Sequence, residues 1–148
     1  MHLRGRTLAI LAVAAALALP ACGLGQEASG AQNDINAIDP AADIQAQNNL
    51  NLAVVAARTA FIDSTSYAGV TAQKLSQVEP SLQFVPGASS GPSVVSVMPQ
   101  GPDKWSAAVL STSGTCFYGV IDGAGATLKG SAKAACDAAD AASHVTQQ

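Results

Sequence analysis

The sequence predicts an α+β fold: one long N-terminal helix packed on a small antiparallel meander sheet. Two observations lead there. From Asp39 to about Ser64 the chain holds no glycine and only Pro40 as a proline, and Leu50, Val54, Ala57 and Phe61 recur at helical spacing. After Pro80 the pattern changes to short β-prone runs divided by Gly, Pro and Ser, with connections short enough for hairpins. Runs joined this way are expected to lie side by side in chain order.

The first segment is an address. His2, Arg4 and Arg6 precede an apolar run that begins near Thr7 and closes on Leu19-Pro20-Ala21-Cys22. A basic start, an apolar stretch and small residues at the end mark a secretory signal. The run is shorter than the roughly 20 apolar residues that a membrane span requires. Cysteine at the cut position resembles a bacterial lipoprotein signal, in which that cysteine takes a diacylglycerol and becomes the first mature residue. Pro20 stands where the lipobox ordinarily has Ala, Ser or Thr. The alternatives are a plain secretory signal or an uncleaved anchor.

The expected organisation is a signal peptide over 1–21, a flexible tether over 22–38, a domain over 39–142 and a tail over 143–148. The tether is small and polar and lacks apolar periodicity. Asp39 is a good N-cap, Pro40 suits the first helical position, and Asp43 favours the positive end of the helix dipole. Leu52, Val55 and Ile62 make a second apolar stripe flanking the first, while Asn48, Asn49 and Asn51 are expected to leave the first half frayed or exposed. Tyr67 and Gly69 mark the exit. Thr71 caps a short second helix, with Val70 and Leu75 at hydrophobic-staple spacing and Pro80 as the stop.

Strands are expected at Val94 to Met98, Trp105 to Ser111, Cys116 to Ile121 and briefly at Thr127 to Lys129. Trp105, Ala107 and Val109 share one face of their strand; Phe117 and Ile121 share a face of the next, with Tyr118 and Val120 on the other. Residues 137–148 read as a loose, alanine-rich tail.

Cleavage before Cys22 leaves one domain's worth of chain, with five basic against ten acidic side chains, a charge of −5. A mildly acidic chain without basic clusters has no electrostatic footprint for nucleic acid. Three cysteines are an odd number. With Cys22 acylated, Cys116 and Cys136 are left as an expected disulfide in an oxidising compartment; the alternatives are two free thiols or a metal site. His2 and His144 are the only histidines, and neither lies near the pair in sequence, which speaks against a metal.

Two stretches carry a family resemblance: LAVVAARTAFIDSTSYAGVTAQKLSQVEPSL over 52–82 and SGTCFYGVIDGAGATLKGSAKAAC over 113–136. Together they resemble the globular half of bacterial type IV pilins and the pseudopilins of type II secretion, over Asn49 to Cys136. The resemblance implies a pilin-like fold, with Cys116 and Cys136 bounding its C-terminal region. Pilins begin with a short basic leader and a hydrophobic helix carrying a glutamate at its fifth residue. The lipoprotein-like signal replaces both here, so the assembly glutamate has no counterpart. The implied protein is a pilin-like head on a lipid anchor.

Candidate chemistry is sparse. Gly87-Ala88-Ser89-Ser90-Gly91 fits G-x-S-x-G, but prolines flank it and His144 is the single histidine past the signal, so it reads as a loop. Gly123-Ala124-Gly125 reads as a hairpin turn, and Asp137 with Asp140 as a solvated pair. Arg58 is expected to pair with Asp63 or the acids near Asp43, to reach the surface or to contact a partner. No catalytic residue, cofactor or metal site is predicted. Trp105, Tyr118 and Tyr67 are the candidate binding aromatics.

The expected function is that of a non-enzymatic cell-envelope lipoprotein with a structural or interaction role, outside the cytoplasm. The anchor would lie in the outer face of the cytoplasmic membrane or in an outer membrane, with envelope or pilus proteins as partners. The alternatives are a small-ligand or sugar-binding envelope lipoprotein and a minor pseudopilin.

Overall fold

The computed structural model describes residues 27–123 and 125–146, with side chains from Pro40 onward. The lipidation candidate Cys22 and the signal segment lie outside the described residues. Helix α1 spans Glu27–Ser64 and carries Pro40 inside it. The stretch expected to be a tether is therefore helical from Glu27, ahead of the cap predicted at Asp39. Extending a formed helix fixes one residue per added bond, and Gly30 is the only strong breaker between Glu27 and Asp39.

The stripe of Leu50, Val54 and Ala57 is buried, with Phe61 packed against it. Leu52, Val55 and Ile62 do not flank this core; Val55 is 61% and Ile62 75% exposed. Alanines take the flanking place instead: Ala46, Ala53, Ala56 and Ala60 are buried. At 100° per residue these alanines adjoin the Leu50 row, and their size lets the helix settle close on the sheet. Gly119 completes that approach, since a Cβ there would meet Leu50 Cδ1 at 3.4 Å.

Helix α1 ends at Thr65, whose φ of 53° is left-handed and whose N–H donates to the Phe61 carbonyl at 2.6 Å. A β-branched residue is poorly suited to this conformation, whereas asparagine tolerates it. Thr65→Asn is expected to stabilise the fold by about 0.5–1 kcal/mol. Urea melts check this; an unchanged or lower midpoint would count against stored strain at the cap.

A short 3-10 turn, Tyr67–Gly69, leads into α2, Ala72–Val78. The predicted cap and staple are present: Thr71 accepts from the Lys74 N–H, and Val70 and Leu75 are fully buried. The sheet follows as β1 Gln83–Val85, β2 Val94–Pro99, β3 Trp105–Leu110, β4 Cys116–Ile121 and β5 Thr127–Ala132, in that spatial order. β2 to β5 are antiparallel neighbours. β1 is an added strand and runs parallel to β2, with Gln83 opposite Val94. The sheet is thus mixed, not a simple antiparallel meander. A parallel return is possible over so short a connection because β1 is only three residues, roughly 10 Å.

The two faces of the sheet carry separate cores. Trp105, Ala107, Val109, Phe117 and Ile121 meet α1. Ala108, Cys116, Tyr118 and Val120 form a second cluster on the opposite face, with Cys136 and Ala141. The expected loose tail covers this face as a 3-10 turn, Ala138–Asp140, and α3, Ala141–His144. Two buried serines hold it there. Ser106 Oγ donates to the Ala138 carbonyl at 2.8 Å, and the Ala138 N–H donates to Ser96 Oγ at 2.8 Å. His144 stacks on Tyr118 with ring centroids 4.7 Å apart, and Thr146 bridges to Lys129.

Candidate functional site

The cysteine pair is a disulfide. Cys116 and Cys136 lie 5.3 Å apart at Cα, within the usual range for such a bridge. It ties the start of β4 to the segment that crosses the second face. The Cys136 carbonyl also accepts from the Ser89 N–H at 2.8 Å.

Ser89 serves that architecture. Its hydroxyl donates to the Val94 carbonyl at 2.5 Å and accepts from the Leu110 N–H at 2.8 Å. The serine of G-x-S-x-G is buried and bonded on both sides, and the motif is the loop between β1 and β2. Asp137 caps the 3-10 turn by accepting from the Ala139 N–H.

The three candidate aromatics do not converge. Trp105 is fully buried between the sheet and α1, and its Nε1 has no hydrogen-bond partner among the described residues. An unsatisfied buried donor costs about 1–3 kcal/mol. Tyr118 projects from the other face, where its hydroxyl donates to the Ala135 carbonyl at 2.7 Å. Burial, with Asp140 and Asp137 adding to it, pushes that hydroxyl's pKa up. Tyr67 stacks on Phe61 at 4.5 Å and borders a hollow of about 220 Å³ that also touches Asp103. Register puts Trp105 opposite Ile121 and Tyr118 opposite Ala108, so the strand pleat separates these two rings.

The polar side chains of α1 turn out to be clamps on the sheet. Asn49 Nδ2 donates to the Pro92 carbonyl at 2.8 Å. Arg58 Nη2 donates to the Gly125 carbonyl and to Thr127 Oγ1, each at 2.8 Å, fixing the β4–β5 hairpin. Ser113 Oγ donates to Asp43 Oδ1 at 2.6 Å and holds that carboxyl below its ordinary pKa. Lys129 Nζ donates to Asn51 Oδ1 at 2.7 Å. The half of the helix expected to fray is instead tied down through Asn49 and Asn51.

Between α1 and β5, Asn51 and Lys129 border a groove of about 390 Å³. Gln47 and Asn51, one helical turn apart, form one wall; Lys129 and Ser131, two residues apart on β5, form the other. Leu50 and Phe117 form an apolar floor. Tyr118 also borders this groove, whereas Trp105 borders neither hollow.

Among the described residues, no three His, Cys, Asp or Glu side chains gather as a metal-binding group, and no helix is long and apolar enough to cross a membrane. No protein-family model, curated protein or solved structure matches the chain.

Proposed function

We propose that the protein is a non-enzymatic lipoprotein of the cell envelope, presenting a pilin-like head for a structural or interaction role. Leu19-Pro20-Ala21-Cys22 after the apolar run carries this reading. The Cys116–Cys136 bridge supports it, because disulfides persist in oxidising, extracytoplasmic compartments. The long helix on a sheet, followed by a disulfide-bounded C-terminal region, supports the pilin-like half. A diacylglycerol on Cys22 supplies two chains, enough for stable anchoring where one is marginal. The helical stretch from Glu27 to Pro40 would then add about 20 Å of reach between anchor and head.

Mass spectrometry of protein extracted from membranes is expected to show a mature start at Cys22 carrying acyl chains, and Cys22→Ser should release the chain from the membrane fraction. Unmodified protein with another N-terminus would reject the anchor. Crosslinking in the native envelope, followed by pulldown, identifies the partners.

A further inference from the structure

The geometry points to the groove between α1 and β5 as a binding site for a small sugar acid of hexuronate size. Its volume, about 390 Å³, lies within the range of small-ligand sites. One sugar ring fits within it with space left for ordered water. The walls are rich in donors. Lys129 uses one ammonium N–H on Asn51 Oδ1 and retains two more. That same bond turns the Asn51 amide N–H₂ away from Lys129, and Gln47 and Ser131 add an amide and a hydroxyl. A donor-rich set of this kind fits an acceptor-rich anion, with the nearly buried Leu50 and Phe117 closing the base of the groove.

Charge placement agrees. The chain carries more acids than bases, yet no acidic side chain lines the groove. Of the five cations past Cys22, Lys129 lies on β5, Lys133 immediately follows it, and Arg58 bonds to its first residue, Thr127. Lys133 faces the Asp43 carboxylate and Arg58 is held at the hairpin, so Lys129 is the cation that the groove itself presents to a small anion. Of the predicted aromatics only Tyr118 borders the groove; Trp105 and Tyr67 lie elsewhere. The inference rests on the described head alone, so the fate of Cys22 leaves it untouched.

The test is calorimetric and saturation-transfer titration of the full chain with glucuronate, using glucose as the neutral counterpart. Glucuronate is expected to bind saturably in the millimolar range, and glucose ~10-fold or more weakly, since a hydrogen bond to a charged group accounts for that much. Lys129→Met should abolish the preference. Gln47→Glu, at an exposed helix position, puts a like charge on the wall and should weaken glucuronate at least ~10-fold and by more than glucose, which keeps the test informative if Lys129→Met misfolds. Equal binding of the two sugars, no saturation through the millimolar range, or a preference surviving Gln47→Glu would each overturn the assignment.

Discussion

Replacing Cys116 and Cys136 together by alanine should destabilise the protein by about 3 kcal/mol. The bridge closes a loop with a sequence separation of 20, and loop-closure entropy of that size yields roughly this figure. Against the 5–15 kcal/mol typical of a small domain this is a large share, and the melting point should fall by roughly 10 °C. The effect should concentrate where the bridge acts. Cys136 opens the segment that lies over Tyr118, and Ser89 hangs its N–H on the Cys136 carbonyl. Melts of the double variant and of the reduced wild type should agree with each other. Coincidence of either curve with the oxidised wild type would show that the segment is held by packing alone.

Gly130→Ala should lift the C-terminal segment off the sheet. A Cβ at this position would lie 1.7 Å from the His144 carbonyl oxygen and 3.1 Å from the Val145 Cα. Both obstacles are backbone, so no rotamer change relieves them. The segment must move, losing the Tyr118–His144 stack and the Lys129–Thr146 bridge. The expected cost is about 2–3 kcal/mol, with hydrogen exchange accelerated at 128–132 and 141–146. Gly119 offers the contrast. Its added Cβ meets only side-chain atoms of Leu50 and Val54, from 3.4 Å outward, and these can yield. Exchange protection over 141–146 unchanged in Gly130→Ala would mean that the close approach does not hold in solution.

Both results concern the face of the sheet opposite α1, whose covering segment reads in sequence as a loose tail. Ser96 and Ser106 alternate with apolar residues in their strands, and a small polar residue at that spacing reads as facing water. They are buried because they bond the backbone of a distant segment, a partner that no local pattern encodes. The one readable sign was Gly130, a strand glycine that marks a close backbone approach. The groove was equally hidden. Gln47 and Asn51 share a helix face by periodicity, and Lys129 and Ser131 share a strand face, but which two faces meet depends on how α1 lies across the sheet.

The sequence by itself determined the helix row of Leu50, Val54 and Ala57, the cap at Thr71, the order of the four antiparallel strands and the cysteine pair. Each follows from periodicity, turn chemistry or counting within a short window. Only the tertiary structure decided that alanines, not Leu52, Val55 and Ile62, flank the helix core, that β1 joins in parallel, and that the C-terminal residues seal the second face. Those outcomes turn on how closely elements far apart in the chain approach, which small side chains permit but do not announce. The separation of Trp105 from Tyr118 belongs to the same class: the pleat puts them on opposite faces, and each face has its own cover.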